Sequence, residues 1–483
     1  MDMTENKLQF PKKAKTKEEL LAFVKENKIK DVQWRKGKAF CLVYHPGDDR
    51  ASMIKEIYDQ YYSDNALNPG ATPSLTKMES QVIAMCSDLF NGDNKVRGNI
   101  TSGGTESILL AVKSARDWAK KHKPNIKNPE VIVPASVHPA FIKGFQYFGV
   151  HFKSVPLKNY RADSAAIENE INENTILLVA SAPSYPHGLM DPVSEISELA
   201  FKNDILCHVD SCIGGFLLPF IKKLGYPIPE FDFNLRGVTS ISADLHKFGY
   251  APKGSSVILY RNADLRKFQF SVYTKWNGGV YGSPTIGGTR PGGCIAGSWA
   301  AINGIGEEGY LDMAEVTMKT TQKLIDGVKL IEELSIIEQP EMSIFSFQSE
   351  HINVYQLADL LNKKGWHFER QHLPPSLHFT VNYIHKDIVD EFLKDLNSCV
   401  QEVKKFNLSK LGDKLQVGLV KGLKKVLPKG TISKFQKTQS SSDDIHKENT
   451  APMYGMMNVL SGTDDLDEIV LDFMDKINTL DES

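Results

Sequence analysis

Between residues 95 and 262 six short apolar runs alternate with stretches of helix length, and no other feature of this 483-residue chain constrains its fold as tightly. The runs are Glu130 to Pro134, Val150 to Val155, Thr175 to Ala180, Ile205 to Val209, Val238 to Ser242 and Ser255 to Tyr260. Most are bounded by polar residues, Gly or Pro, which marks them as strands. Glu106 to Lys121, Ala140 to Gly149 and Val193 to Lys202 lie between them and are long enough for helices. Apolar strands alternating with helices require a mainly parallel sheet covered on both faces, so the expected fold class is α/β. In such sheets ligands bind at the carboxyl ends of strands, so candidate chemistry belongs in the turns that follow the runs.

After Gly293 the pattern changes. A long helical stretch over about Cys294 to Leu334 leads into strands and helices from Ile336 to Lys404, which read as a smaller α+β domain. Residues 438 to 450 lack any apolar period and read as a linker or loop. At 41% hydrophobic and 24% charged, the chain has the composition of a globular protein rather than a disordered one. A formal net charge of −2 provides no global field that would recruit nucleic acid. The six cysteines form no Cys-x-x-Cys, which argues against a disulfide framework and a structural zinc site and for a reducing compartment. Met1 to Thr16 contains no apolar signal core, and the chain has no uncharged apolar run of 18 residues, so the expectation is a soluble, cytoplasmic protein.

Three turns carry chemistry. Thr101-Ser102-Gly103-Gly104-Thr105-Glu106-Ser107 opens a helix; two glycines and a helix N-terminus make a phosphate cradle. The same residues are also an ordinary helix start, with Thr105 as cap and Glu106 in the first turn. Ile205 to Val209 runs into Asp210, which can cap a turn or hold a cationic ring nitrogen. Ser240-Ile241-Ser242-Ala243-Asp244-Leu245-His246-Lys247 is a strand running out into a His-Lys pair that, alone, is usually solvated surface. Together and in this order, the three suit an aldehyde cofactor whose phosphate, ring nitrogen and carbonyl carbon each need one of them.

These motifs, with Gly278 to Gly293 (GGVYGSPTIGGTRPGG), Pro186 to Pro192, Pro374 to Phe379 and Tyr454 to Met456, resemble the fold type I pyridoxal-phosphate enzymes of the group II decarboxylase-like family. Within it the long blocks around Lys247 and Pro284 are similar to the sphingosine-1-phosphate lyases. The resemblance covers roughly residues 30 to 405 and 452 to 475. It implies a transferase-like large domain over 61–300 and a small C-terminal domain over 301–483 with a basic insertion at 404–450. It also implies an N-terminal segment, 1–60, that reaches a partner's active site.

By resemblance, Lys247 carries pyridoxal 5'-phosphate covalently, Asp210 holds its ring nitrogen and His138 stacks on its face. Gly103, Gly104, Thr105 and His246 bind its phosphate, joined by Gly288 and Thr289 from a second subunit, which implies a homodimer with composite sites. Tyr185 and Lys253 stand at the reacting end, with His246 beside Lys247. Lys253, Asn68 and Tyr44 of the partner subunit meet the substrate phosphate. The implied reaction is retro-aldol cleavage of the C2–C3 bond of a phosphorylated long-chain base, giving a long-chain aldehyde and phosphoethanolamine. An amino-acid decarboxylase and a non-catalytic lipid-binding protein on the same scaffold are the alternatives. The sequence departs from the lyases at Leu67-Asn68-Pro69-Gly70, where Asn68 replaces a His expected to bind the substrate phosphate. Residues 404 to 437 hold ten lysines and one acidic residue, with Leu408, Leu411, Leu415, Leu419, Leu423 and Leu427 at intervals of three or four. That is the pattern of a basic amphipathic helix, which can contact an anionic membrane peripherally or pack on the C-terminal domain.

Overall fold

The computed structural model describes residues 10–409 and 464–477. Strands β1 (Arg97–Thr101), β2 (Glu130–Pro134), β3 (His151–Val155), β4 (Thr175–Ser181), β5 (Leu206–Asp210), β6 (Ser240–Ala243) and β7 (Ser256–Tyr260) form one sheet in the order β1-β7-β6-β5-β4-β2-β3. From β6 to β3 every pairing is parallel; β7 runs antiparallel to both β6 and β1. Every residue of β4 and β7 is buried, as expected for strands covered on both faces. The cover comes from α1 (Gly104–His122), α2 (Ala140–Phe148) and α3 (Val193–Lys202), with apolar faces set at helical spacing.

The six apolar runs all become strands, and three of the expected helices form within two residues of their expected ends. The last run is the one that breaks the parallel order. Its residues are as apolar as its neighbours', so nothing local records its direction.

A hairpin of β8 (Ser271–Trp276) and β9 (Gly279–Ser283) leads into the long helix α4 (Gly292–Lys329), whose backbone breaks at Gly306, where φ is +64°. Early residues of α4, such as Ile295 and Met313, belong to the core of the large sheet. Leu324, Ile325 and Val328 belong to a second core with residues of β10 (Ile344–Gln348) and β12 (Pro375–Thr380), the latter paired with β11 (Glu369–His372). Phe40, far back in the chain, joins that second core, stacked on Trp366 and edge-on to Phe379 and Phe392. Ala39 bridges His367 in parallel, which holds residues 38–41 against the small sheet. Among the described residues no helix is long and apolar enough to cross a membrane. The leucine-lysine stretch from residue 410 to 437 lies outside the described residues.

Candidate active site

Because β1 and β6 point the same way, the turns after β1, β2, β4, β5 and β6 all emerge at one edge of the sheet. After β1, Gly103 takes φ of +154°, and a Cβ on Gly104 would stand 2.8 Å from Asp244 Oδ1 and 2.9 Å from Cys212 Sγ. Only glycine allows this turn to pack so closely. Helix α1 starts at Gly104 with Gly103 as its cap residue and no side chain capping the first turn. Thr105 is therefore not the cap; it is exposed within the first turn. The first-turn N–H groups and the positive dipole end make an anion cradle.

Glu106 does something the sequence does not show. It is buried; its Oε2 accepts from Ser102 N–H at 2.6 Å, and its Oε1 accepts from Ile286 N–H at 2.8 Å and Gly287 N–H at 3.2 Å. The loop carrying Gly288 and Thr289 is thereby tied to the glycine turn. Read locally, Glu106 is a first-turn acid; its partner lies 180 residues away.

At the end of β5, Asp210 is buried and its Oδ1 accepts from Cys212 N–H at 3.0 Å and Ser242 Oγ at 3.4 Å. Two residues earlier, His208 lies between Ser240 Oγ at 2.8 Å and Ser242 Oγ at 3.1 Å. Burial pushes its pKa down to about 4, so the ring is neutral.

After β6, Lys247 Nζ lies 3.0 Å from Asp244 Oδ2. Burial alone would lower the Lys247 pKa, but the adjacent carboxylate outweighs it and holds the ammonium charged. Burial would likewise raise Asp244, and Lys247 with His246 reverses that. His246 Nδ1 accepts from Ser255 N–H at 3.1 Å, which leaves the ring proton on Nε2. Burial pushes this imidazole down to about 4. It is a neutral donor suited to a phosphate oxygen. Asp244, quoted in the motif but given no role, is the group that organises Lys247, His246 and the Gly104 contact.

Lys253 has an exposed side chain, yet its ammonium is tucked under two carbonyls, donating to Leu42 O at 2.8 Å and His246 O at 3.1 Å. Desolvation, with the Lys247 charge adding to it, pushes its pKa down to about 8. Nζ stands 5.1 Å from the ring centroid of Tyr44, which packs edge-on against Phe248. The resemblance assigns Tyr44 to a partner's site; the fold places it beside Lys253 of its own chain. Burial, against the Lys247 charge, pushes the Tyr44 hydroxyl up to about 12.

Tyr185 follows β4, its ring centroid 4.5 Å from that of His378, whose Nε2 donates to the Tyr185 carbonyl at 2.9 Å. Burial and then the Glu369 charge push its hydroxyl upward, so it remains a neutral phenol. His138, in the turn after β2, is exposed, with Nδ1 accepting from Ala140 N–H at 3.2 Å. Asn68 is exposed and folds its Oδ1 back onto Gly70 N–H at 3.0 Å. Its loop is tied by the Ala66 N–H to Arg290 O bond at 2.9 Å to the segment bearing Gly288 and Thr289. Thr289 is exposed and Gly288 partly so.

An anion cradle that any side chain would fill, a buried carboxylate at a strand end and a buried amine thus share one edge. Those residues fit pyridoxal 5'-phosphate. The pyridoxal-dependent decarboxylase conserved domain matches residues 2–350. A sphingosine-1-phosphate lyase of Arabidopsis thaliana is 44% identical over 395 residues, which cover 80% of this chain and 72% of the relative. The chain belongs to the sphingosine-1-phosphate lyase branch of this family. A sphingosine-1-phosphate lyase structure from Burkholderia pseudomallei matches with a TM-score of 0.80 at 35% identity, covering 87% of this chain and 98% of that one. An L-aspartate/L-glutamate decarboxylase of Pyrococcus horikoshii is 34% identical over 80% of this chain and 99% of its own length. The fold is therefore that of the fold type I pyridoxal-phosphate enzymes, and the chain is a pyridoxal-phosphate-dependent lyase.

Proposed function

We propose that the chain cleaves the C2–C3 bond of phosphorylated long-chain bases of the sphingosine 1-phosphate type, releasing a long-chain aldehyde and phosphoethanolamine. The observation that carries this reading is the second ammonium, Lys253, held by the His246 carbonyl next to the Lys247 amine. It offers a cation for a substrate phosphate, near enough to Lys247 to feel its charge. Bound pyridoxal phosphate supplies the electron sink for the breaking bond. Lys247 is the amine that would hold the cofactor. Asp210, aimed by Cys212 and Ser242, would keep a ring nitrogen protonated, and His246 Nε2–H with the Gly104 and Thr105 N–H groups would hold the phosphate. Tyr185, kept neutral, stands at the reacting end as a hydrogen-bond donor to the C3 oxygen.

The Pyrococcus relative favours a second reading, amino-acid decarboxylation. Product analysis decides between them: incubation with a phosphorylated long-chain base should yield aldehyde and phosphoethanolamine, whereas carbon dioxide from aspartate or glutamate, with no aldehyde, would overturn the lyase reading.

The reading extends to assembly and location. A homodimer is supported by the exposed Gly288–Thr289 loop, which a partner's site can receive. A reducing, cytoplasmic setting is supported by six free cysteines, all buried. The lysine-rich stretch 404–437 supports peripheral contact with anionic membrane, where each basic residue contributes roughly 1 kcal/mol. Salt-sensitive binding to phosphatidylserine vesicles that is lost on deleting residues 407–437 is the expected result; equal binding by the deletion variant overturns this part.

A further inference from the structure

The short parallel bridge between Ala39 and His367 does more than close the small sheet. His367 N–H donates to Lys38 O and Phe40 N–H to His367 O, each at 2.8 Å, so the two segments meet in parallel at Ala39 and His367. Side chains two apart on a strand share a face. The bridge therefore sets Cys41 beside Glu369, with His367 on the same face. The Sγ, one imidazole nitrogen and one carboxylate oxygen lie within 4.8 Å of one another. Cys41 is 2% exposed, whereas His367 and Glu369 are partly open to solvent.

We propose that Cys41, His367 and Glu369 form a site for one thiophilic divalent cation of the zinc class. The donor set is the first argument. Thiolate, imidazole and carboxylate are the three ligand types zinc takes from proteins, and three protein ligands leave a fourth position for water. Geometry is the second. Zinc–ligand bonds of ~2.0–2.3 Å in a tetrahedron place donors roughly 3.5 Å apart, a closure from 4.8 Å that side-chain torsions supply while the backbone ladder stays fixed. Charge is the third: one thiolate and one carboxylate neutralise the ion, so a half-buried site carries no net charge when filled. The Cys41 thiol, with its proton, lies within 4.8 Å of the Glu369 carboxylate in the metal-free chain. Zinc takes the place of that proton, which leaves for solvent, so the binding step balances as one cation in and one proton out. Filling the site would cancel the negative charge of Glu369 beside Tyr185, which already feels Cys41 and Glu369.

The test uses the untagged full-length holoenzyme, dialysed against chelator and titrated with zinc against a fluorescent chelating competitor. One zinc per chain is expected, with proton release on binding and a sulfur neighbour at ~2.3 Å by X-ray absorption. Cys41→Ser, His367→Gln and Glu369→Gln should each weaken binding on the order of 100-fold. Each variant is compared at equal metal-free thermal midpoint; should Cys41→Ser fold poorly, the partly exposed Glu369→Gln decides. No zinc held against the competitor, a shell without sulfur, or affinity unchanged in Glu369→Gln would overturn the site.

Discussion

A single methyl group tests the phosphate cradle. Alanine at 104 would bring a carbon within 2.9 Å of both Asp244 carboxylate oxygens and of Cys212 Sγ, so the carboxylate that orders Lys247 must shift. We expect Gly104→Ala to weaken pyridoxal phosphate binding by ~10- to 100-fold, about 1.4 to 2.8 kcal/mol, in a fluorescence titration of cofactor-stripped protein. Unchanged affinity would mean that the turn does not hold the phosphate. Lys253 gives a pH signature. With its pKa lowered to about 8, it is a cation below that value and neutral above it. If it binds the substrate phosphate, kcat/KM should fall as pH rises through about 8, since this parameter reports groups of the free enzyme. Lys253→Arg should carry the falling limb to higher pH and Lys253→Met should raise KM and erase the limb. A limb that stays in place in Lys253→Met belongs to another group. At this scale the sequence was informative where a motif is contiguous: Lys247, His246, Asp210 and the two glycines sit on the functional edge. Asp244 was in view within the same motif and its role was not, because its contacts to Gly104 and Lys247 depend on how two strand ends meet.

Among the elements, the joint between α1 and the loop of residues 284–291 is the least predictable from sequence. One carboxylate accepts three backbone N–H groups from two segments, and a second, Glu79, accepts from Asn99, Ile100 and Arg290. Removing Glu106 frees three part-buried donors that water can reach, so each costs less than the about 1–3 kcal/mol of a fully buried one. We expect Glu106→Ala to lower stability by roughly 1–2 kcal/mol in denaturant unfolding and to speed cofactor loss, while Glu106→Gln, which can still accept, recovers much of both. Equal stability of Glu106→Ala and wild type would show that water replaces the clamp. The strands were legible because burial on both faces demands continuous apolar runs; β7's direction and the pairing of residues 38–41 with 367–369 were not. Those are long-range choices made by what each segment packs against, and no local period encodes them.

For the whole molecule, the exposed hairpin β8–β9 is the feature a lone chain leaves unexplained. Val272, Tyr273, Trp276 and Val280 are each more than half exposed, and Ile286 beside Gly288 is 51% exposed. Leu20, Leu21, Phe23 and Val24 of the helix Lys17–Asn27 are also exposed, and that helix buries no residue at all. Apolar surface on this scale marks an interface. We expect light scattering to report a dimer and Trp276→Glu to shift it toward monomer with faster cofactor loss, because a composite site empties when its second half leaves. A monomeric variant with full cofactor occupancy would show that each chain completes its own site.

The sequence by itself determined the class of sheet, the edge at which chemistry gathers and the family, since burial periodicity and contiguous motifs are properties of neighbouring residues. Tertiary structure alone decided that Glu106 clamps a distant loop, that Tyr44 stands beside its own chain's Lys253, and that Cys41 meets His367 and Glu369. Each of these joins segments more than 150 residues apart, and which partners meet is fixed by the packing of the whole chain rather than by any stretch of it.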